Sequence, residues 1–164
     1  MSEAPYISIM TARAGAELAR YQKPGWFMRR AVNPLLAFLV RRFGMSVRGA
    51  HILAIRGRRT GAWRYTPVNV LGLDGHRYLL APRGETEWVR NLRASRRGEL
   101  HLGANVEPIS VTELGDDEKP PVLRAYLRRW KPEVGRFFAV GGPEVSDAEF
   151  RRIAPDHPIF RIET

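Results

Sequence analysis

The sequence predicts an α+β fold in which about six mostly antiparallel strands close into a small barrel. Strand-like runs follow one another from His51 onward, and turn signals such as Asp74-Gly75 separate them. One helical pattern, from Gly84 to Ser95, interrupts the strands, and helical patterns also precede and follow them. Hairpin connections favour an antiparallel sheet, and closing that sheet into a barrel removes its exposed edges.

Two helices are predicted before the first strand. Apolar residues recur at helical spacing over residues 5–21. The second helix has Asn33 as N-cap, Pro34 at its first position and Gly44 where a left-handed C-cap is needed. Aromatic, aliphatic and basic residues mix over residues 26–43, which fits either a peripheral contact with an anionic membrane surface or a helix packed on the domain with solvated arginines.

The predicted strands cover residues 51–55, 63–73, 77–81, 99–102, 106–114 and 158–162. Pro67 lies inside the second of them and indicates an edge position or a bulge, because proline cannot donate a ladder hydrogen bond. A helix is expected to start at Asp116, with Pro120 and Pro121 in its first turn. A short helix to Ile153 follows from the Ser146 capping box.

The chain of 164 residues is long enough for one continuous core, so we expect a single domain over residues 1–164. Within it, residues 1–45 form the N-terminal helical segment and residues 46–164 the barrel core.

The basic charge is concentrated in one part of the chain. Residues 56–97 hold ten arginines against three acidic residues, a net +7 of the formal +10 of the whole chain. The planar guanidinium suits phosphate and carboxylate groups better than the point charge of lysine. The sequence therefore predicts an anionic partner bound in this segment.

Several classes of site have little support. There is no cysteine, and the four histidines have no metal-ligand spacing, so no metal is expected. No dinucleotide fingerprint, P-loop or nucleophile elbow occurs, and no pair of carboxylates marks a pocket. The longest apolar run, residues 35–40, is far short of the ~20 that cross a bilayer. If the protein is an enzyme, a cofactor is expected to bring the reactive group.

Three motifs in order resemble one family. GRRTGAWRYTPV, then DGHRYLLAPRG, then EWVRNLRAS are similar to the deazaflavin-dependent nitroreductase and quinone reductase family, which are split β-barrel proteins that use reduced coenzyme F-420. The resemblance is close over about residues 50–103. It implies an FMN-binding split-barrel-like fold and a hydride transfer from the coenzyme to an electron-poor acceptor.

The resemblance also implies site residues. The phosphate and acidic tail of the coenzyme are expected at Arg58, Arg59, Thr60 and Arg64, with Arg83 beside them, and the deazaflavin ring against Trp88 and Asn91. For Arg58 and Arg59 the alternative is solvated turn residues, for Trp88 core packing, and for Asn91 a surface position or a hydrogen bond from helix to loop. Arg90, Arg93, Arg96 and Arg97 are expected to form a solvated face.

One cofactor position departs from the family pattern. Members that reduce nitroimidazoles commonly carry a small hydroxyl residue where this chain has Pro82, which has neither a hydroxyl nor an N–H to donate. That disfavours nitro compounds as acceptors more than it disfavours coenzyme binding. In related proteins substrate-side tyrosines come from the C-terminal helical region. We therefore expect Tyr126 to be the catalytic residue, with Trp130, Phe137 and Phe138 as apolar lining; the alternative is that these residues pack a helix on the barrel.

The sequence thus supports an F-420-dependent oxidoreductase that acts on a small-molecule acceptor such as a quinone or a nitro-bearing or conjugated compound. A non-catalytic carrier of deazaflavin or FMN is the alternative, and a nucleic-acid binder is disfavoured because aromatic residues are not interleaved with the basic ones. The expected location is cytoplasmic, and association with the inner face of the membrane is a further option. A homodimer is also compatible with the sequence.

Overall fold

The computed structural model describes residues 50–163, which form six strands and three α-helices. The strands are β1 (Ala50–Arg56), β2 (Trp63–Leu73), β3 (His76–Leu80), β4 (Arg97–Leu102), β5 (Asn105–Glu113) and β6 (Ile159–Glu163). The helices are α1 (Glu87–Ser95), α2 (Lys119–Val134) and α3 (Asp147–Ile153). The predicted N-terminal helices, the boundary at residue 45 and the proposed membrane contact at residues 26–43 lie outside the described residues.

The six strands form a closed barrel in the order β1-β2-β3-β6-β5-β4, and every pairing is antiparallel. The predicted barrel, the helix after the central hairpin and the helical C-terminal region are therefore confirmed. Each observed strand begins and ends within two residues of its prediction. The hairpin turns set these boundaries: Asp74 and Gly75 both have positive φ, at 50° and 77°, as a two-residue hairpin loop needs.

The barrel interior is filled by alternate residues of the strands, as the period of two in a strand requires. Leu53, Ile55, Leu79, Leu100 and Phe160 are almost fully buried there. Helix α1 adds Val89 and Leu92, both fully buried, to the same cluster. It therefore closes the barrel from one end with its apolar face.

A second core lies outside the barrel. Helix α2 packs on α3 and on β2, and buries Leu123, Tyr126 and Trp130 against Leu71 and Leu80. The two faces of β2 and β3 thus pack into different cores: Val68 and Leu79 into the barrel interior, and Leu71 and Leu80 against α2. Both faces are covered only along part of these strands, which is where Val68, Leu71, Leu79 and Leu80 are buried.

Strand β2 is longer than its partner β3, and the two separate part of the way along. Pairing with β3 covers only the stretch from Val70↔Leu79 to Leu73↔His76, whereas residues 63–69 pair with β1 alone. The register with β1 is continuous, so Pro67 is not at a bulge. It does lie on a locally open edge, which was the other prediction for this residue.

Backbone alternation shows which groups face that open edge. The Gly57 N–H donates to the Ala62 carbonyl at 2.8 Å, which makes these two residues a hydrogen-bonded pair at the end of the β1–β2 ladder. Hydrogen-bonded and non-bonded pairs alternate in an antiparallel ladder. Tyr65, Pro67 and Asn69 therefore turn their backbone polar groups away from β1. The nitrogen of Pro67 faces the gap, where no ladder bond is lost.

Two helix starts differ from the prediction. Helix α1 begins at Glu87 and not at Gly84, because Gly84 has φ +77° and belongs to the turn that leaves β3. Helix α2 begins at Lys119 after a short 3-10 turn at Asp116–Glu118. Pro120 and Pro121 do occupy its first turn, as expected. None of the helices over residues 50–163 combines the length and the apolar character needed to cross a membrane.

Candidate functional site

A cavity of about 530 Å³ opens where β2 and β3 separate. Residues 64–69 of β2 form one wall, and the continuation of β3, residues 80–83, forms the other. Helix α1 contributes Trp88 and Asn91 to the lining, and α2 contributes Tyr126 and Glu133. The cavity is therefore a cleft between two strands, with one helix on each side.

The arginine-rich turn between β1 and β2 is tied to helix α1. Asn91 Oδ1 accepts hydrogen bonds from the Arg58 N–H and from Arg58 Nη1, both at 3.1 Å. The Arg58 guanidinium also contacts Glu87 at 2.8 Å. This hydrogen bond is the main reason why the pKa of Glu87 lies below its usual value. Asn91 is thus the hydrogen bonder between helix and loop that one sequence interpretation anticipated.

The other predicted tail-binding residues differ in their place relative to the cleft. Arg64 and Arg83 both line it, and the Arg83 guanidinium lies 5.0 Å from the centre of the Phe137 ring. Arg59 and Thr60 are exposed in the turn and do not line it. The Thr60 hydroxyl accepts a hydrogen bond from the Ala62 N–H at 3.3 Å. Within residues 50–163, neither Arg59 nor Arg64 forms an ion pair.

Trp88 lies at the boundary between the cleft and the barrel core. Its ring is half-buried, lines the cleft and packs against Phe160 with ring centres 6.1 Å apart. The indole therefore has a core role and an open face at the same time. Both readings of this residue, ring wall and packing residue, agree with its position.

The closed end of the cleft holds Tyr126. The residue is 2% exposed, and its ring packs against Trp130 with ring centres 4.6 Å apart. Burial raises the pKa of Tyr126 to about 12, so its hydroxyl keeps its proton at neutral pH. Phe137 lines the cleft as expected. Trp130 and Phe138 do not, since both are buried behind Tyr126 and Phe138 stacks on His157 at 4.3 Å.

Pro82 also lines the cleft, in the wall opposite β2. The turn after it is tight: a Cβ on Gly84 would lie 3.1 Å from the Asp156 carbonyl oxygen, and Gly84 has φ +77°. This geometry fixes the path of residues 82–84, so the position of Pro82 in the wall is set by the backbone.

Sequence reasoning missed three residues that line the cleft with a polar atom. Asn69 Oδ1, Thr86 Oγ1 and Glu133 Oε2 are buried and have no hydrogen-bond partner within residues 50–163. A buried polar atom without a partner is costly and is rare in folded proteins. One sequence signal existed: Asn69 is a polar residue that disfavours strands, inside the apolar run of β2.

The basic face of helix α1 is mostly engaged in ion pairs on the surface. Arg93 contacts Glu85 at 2.6 Å and Glu113 at 2.7 Å, and Arg90 contacts Glu87 at 3.0 Å. These pairs agree with the solvated-face interpretation of this helix. Among residues 50–163, no group of three or more histidine and acidic side chains is placed to hold a metal ion.

A family model described as F420H(2)-dependent quinone reductase matches residues 27–137. That span covers more than half of the 164 residues. No match was found among curated proteins.

Solved structures share the fold. A structure described as an F420-H2 dependent reductase (FDR-A) aligns with a TM-score of 0.50 and 20% identity, over 71% of this chain and 95% of that one. The protein Atu2129 of unknown function from Agrobacterium tumefaciens str. C58 aligns with a TM-score of 0.50 and 19% identity, over 71% of this chain and 48% of that one. A structure described as a domain-swapped dimer has a TM-score of 0.49 and 16% identity, over 80% of this chain and 96% of that one.

Proposed function

This chain belongs to the F420H(2)-dependent quinone reductase family, and we propose that it passes a hydride from reduced coenzyme F-420 to a quinone. The reaction would take place in the cleft between β2 and residues 80–83. The observation that carries this proposal is that the two ends of the cleft differ. Arg64 and Arg83 lie away from the point where the strands separate, and the buried hydroxyl of Tyr126 lies beside that point.

The residues of the cleft fit such a coenzyme. The volume of about 530 Å³ is within the range of small-molecule sites. Trp88 and the apolar wall at Pro82 suit a flat ring, and guanidinium groups suit a phosphate and carboxylate tail. The buried hydroxyl oxygen of Thr86 needs a partner that a polar coenzyme would supply.

Arg64 and Arg83 would bind the anionic tail, and Arg59 would extend this positive surface beyond the cleft. Arg58 has a different part. Its guanidinium is engaged with Glu87 and Asn91, so it holds the turn in place and contributes its charge from there. Trp88 would form the wall for the ring.

The coenzyme, when bound, supplies the hydride. A quinone that gains a hydride also needs one proton to become a hydroquinone. The Tyr126 hydroxyl holds such a proton at its Oη atom, and its raised pKa keeps the proton in place until a basic oxygen accepts it. The enclosing helices α1 and α2 limit the access of water to the reacting groups.

Pro82 supports a quinone over a nitro compound as the acceptor. It lines the cleft and offers neither a hydroxyl nor an N–H, so the nitro group would find no donor there. A quinone needs a donor at one carbonyl oxygen, which Tyr126 provides.

The test is a titration of the purified protein with coenzyme F-420, FMN and FAD in parallel, followed by turnover of the reduced form with menadione. We expect preferential binding of coenzyme F-420 and oxidation of its reduced form by menadione. Tyr126→Phe is expected to lower kcat by about 10²-fold with little change in coenzyme affinity. Failure to bind coenzyme F-420 would contradict the proposal, and binding without turnover would favour the carrier.

The cytoplasmic location, the homodimer and a contact of residues 26–43 with a membrane surface remain predictions.

A further inference from the structure

The closed end of the cleft carries more polar atoms than hydride transfer to a simple quinone requires. Asn69 is only 5% exposed, and its Nδ2 donates to the Tyr126 hydroxyl at 3.5 Å. Its Oδ1 has no partner within residues 50–163, and neither does Oε2 of Glu133. Both residues line the same cavity as Tyr126.

These two free oxygens have the same chemical character. An amide oxygen and a carboxylate oxygen accept hydrogen bonds and cannot donate them. The Tyr126 hydroxyl accepts from Asn69, so its own hydrogen remains available to a ligand. The cleft therefore offers one donor, paired with Asn69, and two unmet acceptors.

A plain quinone carbonyl satisfies only the donor. It would bury the oxygens of Asn69 and Glu133 without partners, which weakens binding. A quinone with an amino or hydroxyl group next to its carbonyl satisfies both kinds of site, because its N–H or O–H lies beside the carbonyl oxygen.

We propose that Asn69 and Glu133 form a specificity subsite that selects quinones with a hydrogen-bond donor next to the reacting carbonyl. The carbonyl oxygen accepts from Tyr126 and the adjacent N–H or O–H donates to Asn69 Oδ1, with Glu133 as the second acceptor. This inference rests on the proposed function, since it assigns the class of acceptor that the same cleft takes.

The positions of the two residues support a subsite and not a chance pair. Asn69 directly precedes Val70, the residue at which β2 begins to pair with β3, so it lies where the two strands separate. Glu133 lies beyond the kink that the non-helical Trp130 makes in α2, and it lines the same cavity as Tyr126. Strand and helix thus deliver acceptors to the same cavity from different directions.

The test uses two quinones of nearly the same shape, 2-methyl-1,4-naphthoquinone and 2-amino-1,4-naphthoquinone. Their affinities for the protein without coenzyme are measured by quenching of tryptophan fluorescence, since Trp88 lines the cleft and Trp130 packs on Tyr126. The amino compound is expected to bind at least tenfold more tightly. Asn69→Leu, which removes the acceptor at similar volume, is expected to reduce this preference to twofold or less.

Two further variants complete the design. Asn105→Leu is the matched control, because Asn105 is exposed on β5 and does not line the cleft; it should keep the full preference. Glu133→Leu removes the second acceptor at a partly exposed position and should lower the preference about threefold.

Equal affinities of the wild-type protein for the two quinones, or a preference that survives both Asn69→Leu and Glu133→Leu, would overturn the inference. Failure of coenzyme binding would contradict the proposed function in a separate experiment, since the quinone titrations contain no coenzyme.

Discussion

Asn91 Oδ1 receives two hydrogen bonds from Arg58, one from its backbone N–H and one from its guanidinium, each at 3.1 Å. Asn91 itself is 5% exposed, so this contact joins the arginine-rich turn to the helix that closes the barrel. A residue expected to face the coenzyme ring therefore also holds the turn expected to bind its tail. The arginine-rich turn and helix α1 are therefore held together by the contact between Arg58 and Asn91.

Asn91→Leu is expected to weaken the attachment of the arginine-rich turn to helix α1. The Arg58 N–H would lose its partner in a part-buried place, which costs about 1–3 kcal/mol of unfolding free energy. Urea denaturation followed by circular dichroism measures the loss, and coenzyme affinity should fall in parallel. Asn105→Leu, on an exposed strand position, serves as the control. A variant as stable as the wild type would show that the turn keeps its conformation without the hydrogen bonds to Asn91.

Arg64→Gln is expected to weaken coenzyme F-420 binding by at least tenfold, because a guanidinium that lines the cleft would lose charge-assisted hydrogen bonds to the anionic tail. The affinity is measured by fluorescence titration of the oxidised coenzyme. Arg77→Gln is the matched control, since Arg77 pairs with Glu107 and does not line the cleft. Equal effects of the two substitutions would mean that only net charge matters.

Arg58→Ala combined with Arg59→Ala is expected to weaken coenzyme binding by more than tenfold. The single variants should differ in kind. Arg59→Ala removes an exposed cation and should change affinity alone, whereas Arg58→Ala also breaks the contacts with Glu87 and Asn91 and should lower stability. Thermal unfolding and titration of each variant separate the two roles. No loss of affinity in the double variant would discredit the tail assignment.

Tyr126 predicts a stability change at high pH. Burial raises its pKa to about 12 in the folded protein, above the value near 10 that it has when unfolded. The folded state therefore binds this proton more tightly, and the resulting stability is complete below about pH 10 and is lost as the pH rises toward 12. Two pKa units correspond to a change on the order of 2–3 kcal/mol.

The measurement is the free energy of unfolding at pH 9, 10 and 11, compared between wild type and Tyr126→Phe. The difference between the two should shrink as the pH rises, because phenylalanine has no proton to lose. In a titration followed by the ultraviolet absorbance of ionised tyrosine, Tyr126→Phe should lack one tyrosine with a raised pKa that the wild type has. Parallel stability profiles would contradict the burial of this hydroxyl.

Pro82→Ser is expected to increase the rate of nitroimidazole reduction relative to menadione reduction, because serine adds a donor to the wall of the cleft where proline has none. The ratio of the two kcat/KM values is the measurement. Pro82→Ala is the control, since it removes the ring without adding a hydroxyl and should leave the ratio near that of the wild type. An equal rise in both variants would assign the effect to space and not to the donor.

The fold was largely predictable because its strands are short and their turns carry strong local signals. Strand β2 was predicted with its observed bounds, Trp63–Leu73, since Gly61 precedes it and Asp74-Gly75 follows it. The start of α1 was placed three residues early, because acidic residues after Gly84 resemble a first helical turn. The backbone there is in a tight turn that periodicity does not show.

The site was predictable only in part. The arginines and Trp88 belong to a motif that is contiguous in sequence, so they were found. Asn69 and Tyr126 are 57 residues apart and meet only because α2 packs on the outer face of β2. The engagement of Arg58 with Asn91 spans 33 residues and likewise depends on where the helix closes the barrel. Local patterns give residue types, whereas such pairs are products of the tertiary fold.

The separation of β2 from β3 leaves a run of strand edge that another peptide segment could in principle join. Pro67 stands in the middle of that run with its ring nitrogen toward the gap, so the ladder an incoming strand needs would be interrupted there. The opening thus resists self-association by strand addition while it stays wide enough for a thin organic molecule. A single proline therefore lets the barrel keep an open cleft between two strands without the aggregation hazard of an unpaired strand edge.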